Sequence, residues 1–369
     1  MKVLAYDDLA IGVAADTSGH LAWLEEFLCP PFRAVPDAPA AVTITLTVDK
    51  RRHQAWARDW RPAGDVDCFA LDSTVLHLPV RREPDGTLVV WDEQFVLFYR
   101  IDPRTRHVEV LAHRDRPALR TPLMRLVREV AMNHARRRGE LFLHAASVAV
   151  GGRAAVVCGV KNAGKTTLLL HLMSALGTDY VGNDRAVVAL DGDTPRLRGM
   201  PSIVTVRPPT LALLPEFRAR LMASGYHSRA TLAEFAGGEP CPPATFSDGR
   251  YGLTPVQMAE LVGAERVNEA TAHSLAFPSV TRRPGPIRVR PLDRNVGATR
   301  LATSAWDGSN LNRIASALDF ATAPSAGPPA WQALCERLVD QVRCYEVELG
   351  NEAYADVAVS RAELGKLFA

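Results

Sequence analysis

Lysine is scarce in this chain: of 43 basic residues, only Lys2, Lys50, Lys161, Lys165 and Lys366 are lysines, and the rest are arginines. The bias fits a GC-rich coding sequence, and it makes each lysine an uncommon choice. A charge of one sign is also lacking. The 43 basic and 41 acidic side chains leave a formal net charge of +2, which argues against binding nucleic acid through bulk electrostatics. No apolar run approaches the roughly 18 residues of a membrane-spanning helix, so no membrane partner is expected. The first residues, Met1 to Asp8, carry acids where a secretory signal needs an apolar stretch, and a cytoplasmic location is the expectation. The six cysteines (Cys29, Cys68, Cys158, Cys241, Cys335 and Cys344) show neither C-x-x-C spacing nor a Cys/His cluster of zinc type. They read as reduced, mostly buried thiols.

What is present is an ordinary globular composition, 47% hydrophobic and 23% charged over 369 residues, enough for one large or two ordinary domains. Residues 1–118 read as a β-rich N-terminal domain. Ala41–Val48 alternates apolar residues with Thr, and Leu88–Trp91, Phe95–Arg100 and His107–Leu111 are further strand candidates, separated by turns at Glu83-Pro84-Asp85-Gly86 and Asp102-Pro103-Arg104. The pattern predicts an antiparallel sheet. A helix with Pro122 in its first turn follows, its apolar residues at helical spacing, ending at Arg136-Arg137-Arg138-Gly139. The domain boundary is expected between about residues 115 and 140, with residues 119–369 forming the second domain.

The texture then changes. Leu141–Val150 is a strand candidate, Gly151-Gly152 a hairpin turn, and Ala154–Cys158 a short, wholly apolar strand suited to a sheet centre. A glycine-rich loop and a helical run, Thr167–Leu176, come next. Leu211–Ala223, Pro255–Leu261 and about Ala330–Val342 read as helices, and Ser202–Val206 and Cys344–Leu349 as strands. The fold class is α/β.

The loop Gly159-Val160-Lys161-Asn162-Ala163-Gly164-Lys165-Thr166 matches G-x-x-x-x-G-K-[ST]. Its glycines let the backbone curl so that successive N–H groups point at phosphate oxygens, and the following helix aims its positive end at the same anion. Lys165 is placed to reach the β- and γ-phosphates, and the Thr166 hydroxyl to ligate Mg²⁺. Thr167 continues the nucleotide-binding segment, and Lys161 sits at its solvent edge. A nucleotide with β- and γ-phosphates, together with Mg²⁺, is therefore expected at this loop. Asp191 ends an apolar strand but follows the loop after only one helix and one strand, so it reads as a turn residue and not as the usual second acidic motif. Asp179–Val188 reads as strand, polar break, strand, which delivers Asp184 to the mouth of the loop.

With His144 on a strand, then the hairpin, the loop, and Asn183-Asp184-Arg185 after the helix, the chain resembles the HPr kinase/phosphorylase family. Leu197-Arg198-Gly199-Met200 resembles part of that family's next signature. The likeness is clear over about residues 141–210, and it is not seen in residues 1–118. It implies a catalytic domain of the HPr kinase/PEP carboxykinase-like P-loop type. It further implies an ATP- and Mg²⁺-dependent kinase that transfers the γ-phosphate to a hydroxyl. Asp184 would be the general base, His144 would tune or orient it, and Lys165 and Arg185 would stabilise charge; Thr166, Asp184 and Asn183 would be near the metal. Asn183 stands where the family has Asp, Thr167 where HPr kinases often have Glu, and Arg196 where the next signature carries Glu. The chain therefore resembles the HPr-kinase-related kinases of bacterial peptide natural-product pathways more than HPr kinase itself. The implied acceptor is Ser or Thr of a peptide, or a small molecule, and assembly into homo-oligomers is a property of the family. Arg207, Arg282 and Arg283 are candidate phosphate or acceptor contacts, and Asp307, Asn310 and Asn312 candidate pocket residues. The alternative is a nucleotide-binding regulator or NTP hydrolase without an acceptor.

Overall fold

A computed structural model describes residues 1–69, 75–190, 192–226, 250–281, 285–305, 313–320, 331–350 and 357–369. The chain is α/β and divides into two compact units. The first is built mainly on residues 1–135 and the second mainly on residues 136–230, 248–309 and 326–369. No helix among the described residues is long and apolar enough to cross a membrane.

The first unit is a nine-stranded sheet. β1 (Lys2–Tyr6) and β2 (Leu9–Ala15) form a hairpin. Helix α1 (Ser18–Leu28) leads to the short β3 (Arg33–Ala34) beside β1. β4 (Val42–Val48) buries alternate residues, as its apolar/Thr pattern predicts. Helix α2 (Lys50–Arg58) follows, its first turn capped by Asp49, whose carboxylate accepts from the Arg52 N–H at 2.9 Å. An antiparallel meander completes the sheet: β5 (Gly64–Phe69), β6 (Val75–Arg82), β7 (Leu88–Asp92), β8 (Leu97–Asp102) and β9 (His107–Ala112). The strand order is β3-β1-β2-β4-β9-β8-β7-β6-β5.

The expectation of an antiparallel sheet is corrected here, because β4 runs parallel to both β2 and β9. Parallel neighbours need long crossovers. The first runs through α1 and β3, and the second through α2 and the whole β5–β8 meander. Helix α2 has only His53 buried, so its sequence carries no apolar stripe to announce a helix. Its Trp56, together with Trp60 and Trp91, packs against Phe98. The expected strand at Phe95 starts two residues later, because Val96 takes a positive φ of 46°, which does not fit a strand.

Helix α3 (Arg120–Arg137) spans the division between the units. In the second unit the expected strand at 141–150 is two strands, β10 (Leu141–Leu143) and β11 (Ala145–Val150), interrupted at His144. The following elements are β12 (Arg153–Cys158), α4 (Lys165–Leu176), β13 (Asp179–Gly182), β14 (Ala186–Ala189) and β15 (Arg196–Gly199). β16 (Val204–Val206) pairs with β17 (Tyr251–Leu253) in a small separate sheet. The long β18 (Ala270–Val280) runs parallel to β12 on one side and to β20 (Arg343–Leu349) on the other, and β19 (Arg288–Pro291) lies beyond β20.

β12 shows why its sequence is wholly apolar. Ala155 and Val157 face one core cluster with Leu168, Leu169 and Leu172 of α4; Ala154, Val156 and Cys158 face another with Leu334, Leu338 and Val339 of helix Trp331–Gln341. A strand covered on both faces has no polar side. The helix expected over 211–223 is two helices, Pro208–Leu213 and Pro215–Ser224. Pro215 breaks the run, because a proline disfavours helical backbone in the residue before it, and Leu214 sits at φ −128°, ψ 69°.

Candidate functional site

The glycine-rich loop lies between β12 at the sheet centre and α4. Gly159 and Gly164 have φ of 150° and 101°, values that side-chain-bearing residues rarely adopt. Space forbids a side chain as well: a Cβ on Gly164 would stand 2.7 Å from Cγ2 of Val280, at the end of β18. Asn162 is also left-handed, at φ 71°, a conformation Asn tolerates better than most residues. The loop therefore turns tightly and enters α4 at Lys165. The first turn of a helix has N–H groups with no intrahelical partner, so this end of α4 offers donors and a positive dipole to an anion.

Lys165 folds back over the loop. Its Nζ donates to the carbonyl oxygens of Gly159 at 2.7 Å and Val160 at 3.1 Å. Burial pushes the ammonium below its usual pKa of 10.5, and the negative charge of Asp184 acts in the opposite sense. The loop lysine and the Asp184 carboxylate are thus within electrostatic reach of each other. Lys161 is exposed at the loop's edge. Thr166 is half-buried in the first turn of α4. Thr167 is buried, and its hydroxyl pairs with that of Thr210 at 3.0 Å. The side chain of Thr167 is thus turned into the protein, and only its backbone N–H remains to meet an anion.

Strand register brings the other half together. Leu143 of β10 pairs with Ala186 of β14, and Ser147 of β11 pairs with Gly182 of β13. His144 sits where the chain changes partners, and Asn183-Asp184-Arg185 is the connection between those two partner strands. His144 is held by its N–H donating to the Ser304 carbonyl at 2.7 Å. Its Nε2 lies 3.0 Å from Oδ1 of Asp184, while Nε of Arg185 lies 3.8 Å from Oδ2. Asp184 takes a left-handed φ of 72°, which turns the chain sharply between β13 and β14. Its side chain is 45% exposed and so remains accessible to a ligand. Asn183 is buried, and its carbonyl accepts from the Ser202 hydroxyl at 2.6 Å.

Three residues of the Leu197-Arg198-Gly199-Met200 segment have structural roles. Gly199 lies against β13 so closely that a Cβ there would stand 2.0 Å from the Val181 carbonyl oxygen. Arg198 is buried, and its Nη2 donates to both carboxylate oxygens of Glu140 at 2.8 Å. Met200 N–H donates to the Arg185 carbonyl at 2.9 Å, so this segment braces the turn that carries Asp184.

Arg207 stands near the loop: its Nη1 donates to Oδ1 of Asn162 at 2.9 Å. Arg282, Arg283, Asp191, Asp307, Asn310 and Asn312 lie outside the described residues. Sequence reasoning missed Val280 at the back of the loop and Glu140 under Arg198. Pro278 within β18 was the obstacle for Val280, since proline marks a segment as unsuited to a strand interior. For Glu140, its place directly after the helix-ending Gly139 gives no sign that the carboxylate is buried.

No trio of His, Cys, Asp or Glu among the described residues is arranged to hold a metal by itself. The oxygen donors at hand are the Thr166 hydroxyl and the Asp184 carboxylate. They are hard ligands that suit Mg²⁺, an ion usually completed by substrate phosphates and water. The residues thus fit a magnesium brought in with a nucleotide. No protein-family model matches the chain, and no curated protein matches it.

Proposed function

We propose that the second unit is an ATP- and Mg²⁺-dependent phosphotransferase, a P-loop kinase of the HPr kinase/PEP carboxykinase-like type, acting on a hydroxyl of a peptide Ser or Thr or of a small molecule. The observation that carries this reading is the convergence of Lys165, at the mouth of a strand–loop–helix anion site, with an accessible carboxylate, Asp184, backed by His144 at 3.0 Å.

The roles follow from the chemistry. The backbone N–H groups of the loop and the first turn of α4 bind the phosphates. Lys165 leaves the Gly159 and Val160 carbonyls and pairs with the β- and γ-phosphate oxygens. Thr166 and the Asp184 carboxylate are the groups that would hold Mg²⁺, which would neutralise phosphate charge when bound. The acceptor oxygen attacks the γ-phosphorus, the bond from that phosphorus to the β–γ bridging oxygen breaks, and ADP leaves. The acceptor proton passes to the Asp184 carboxylate. His144 orients that carboxylate, and Arg185 supplies positive charge beside it.

The test is incubation with γ-labelled ATP, Mg²⁺ and panels of hydroxyl peptides and small molecules, with label incorporation followed by mass. Acceptor-dependent incorporation that is lost in Asp184→Asn, with nucleotide binding retained, supports the assignment. The second reading, a nucleotide-driven regulator or hydrolase, is favoured by Asn183, an amide where the resembling kinases carry a second acid. It predicts free phosphate with no labelled acceptor.

A further inference from the structure

Two hydrogen bonds tie the same two segments of the second unit together. Arg207 Nη1 donates to Oδ1 of Asn162 at 2.9 Å, and the hydroxyls of Thr167 and Thr210 meet at 3.0 Å. One bond lies in the loop and the other in the first turn of α4. Both partners come from the junction of β16 with helix Pro208–Leu213. The Thr pair is buried, 7% and 9% exposed, and so is anchored. The core also joins the two segments, since Val204, Val206 and Leu211 share a cluster with Leu168, Leu169 and Leu172.

Arg207 is well placed to use that anchorage. Pro208 follows it, and a residue before proline is confined to extended backbone; Arg207 sits at φ −99°, ψ 153°. Its backbone is therefore stiff, and its guanidinium projects to the one loop residue outside the glycines with a left-handed φ. A side-chain bond to Asn162 restrains that unfavourable conformation, which otherwise leaves the loop free to relax before an anion arrives. Preorganisation of this kind raises affinity by removing an ordering cost.

We propose that Arg207 is a positioning residue for the glycine-rich loop, acting through Asn162 to hold the loop in its anion-ready turn. The inference rests on the nucleotide reading of the loop. It assigns Arg207 a role through the protein and not through direct contact with phosphate or acceptor.

The test is ATP·Mg²⁺ titration of the full chain, wild type against Arg207→Met, Arg207→Lys, Asn162→Gly and the double variant Arg207→Met/Asn162→Gly. Thermal melting is the folding control. Loss of one hydrogen bond of this kind predicts about fivefold weaker binding for Arg207→Met. Asn162→Gly keeps the left-handed turn but removes the acceptor, and it should weaken binding comparably. The double variant should be no weaker than the worse single, because both remove the same bond. Arg207→Lys, which can still donate to Oδ1, should recover most of the loss. Multiplicative effects in the double variant would show that Arg207 touches the nucleotide directly and would overturn the proposal. Unchanged affinity in a folded Arg207→Met variant would overturn it equally, leaving the nucleotide reading intact. Failure of the wild-type protein to bind ATP would remove the nucleotide reading itself and this inference with it.

Discussion

Nε2 of His144 and Oδ1 of Asp184 lie 3.0 Å apart because each occupies the break between two strands of the same pair of partners. β10 and β11 meet at His144, β13 and β14 meet at Asp184, and the pairings Leu143 with Ala186 and Ser147 with Gly182 oblige the breaks to face each other. Asp184 sits at φ 72°, and Asn adopts that conformation as readily as Asp. Asp184→Asn is therefore a conservative probe of the carboxylate. It is expected to lower phosphate transfer by at least about a hundredfold while leaving ATP affinity within about twofold, since a general base typically contributes that much. His144→Gln, which removes a partner of the carboxylate, should cost less and should alter the pH–rate profile. Both are checked by steady-state transfer kinetics alongside nucleotide titration. Full activity in Asp184→Asn would remove the base assignment.

Partial burial holds the Lys165 ammonium below the usual lysine pKa of 10.5. Phosphate oxygens attract only its protonated form. ATP affinity should accordingly decline as pH rises from neutrality through that lowered pKa, earlier than an ordinary lysine would allow. The same shift affects stability with the opposite sign. The unfolded chain holds this proton more tightly, so protonated Lys165 is a cost to the fold at neutral pH that is relieved as pH rises toward 10.5. Lys165→Met should therefore abolish tight ATP binding and flatten the pH dependence of what remains, without lowering the melting temperature at neutral pH. A large drop in melting temperature would show that the lysine is needed chiefly to hold the loop together.

Gly199 has no room for even a methyl group. A Cβ there would stand 2.0 Å from the Val181 carbonyl oxygen and 2.8 Å from Cα of Gly182, so the obstacle is backbone and not a side chain that can move aside. Gly199→Ala is expected to cost at least about 3 kcal/mol, at the high end for overpacking. It should also displace the turn carrying Asp184, which Met200 braces through the Arg185 carbonyl. Chemical denaturation followed by a probe in the second unit gives the measurement. An unaltered midpoint would mean that β13 and β15 are farther apart than described.

Arg198 and Glu140 are both buried, at 5% and 6% exposure. Removing Arg198 takes away both of its hydrogen bonds to the buried Glu140 carboxylate and leaves Arg138, at 3.5 Å, beside it. Arg198→Met should therefore cost about 2 kcal/mol, whereas pairing it with Glu140→Leu should recover part of that loss. The comparison is a double-mutant cycle in denaturant. Additive losses in the cycle would show that the two side chains do not depend on each other.

Much of this architecture is legible from local sequence. Alternation in Val42–Val48, the unbroken apolar run before Gly159, the glycines flanking the loop, and the helical run after Lys165 each encode their own conformation, because turn chemistry and periodicity act over a few residues. Other elements carry no such local sign. Helix Lys50–Arg58 buries little beyond His53, so no stripe marks it. β18 contains Pro278, whose missing N–H speaks against a central strand, yet Pro278 stands opposite Val347 in a parallel pair.

For the candidate site, local sequence encodes the tight loop, its lysine and the polar break at Asn183-Asp184-Arg185, since the conformational freedom of glycine and the scarcity of lysine are properties of the residues alone. The meeting of His144 with Asp184, the pairing of Arg198 with Glu140 and the bond from Arg207 to Asn162 arise from the folded arrangement. Those pairings depend on strand register and on which strands lie side by side. A one-residue slip in register exchanges the two faces of a strand, and contacts between distant segments are set by that register and not by any residue's own preference.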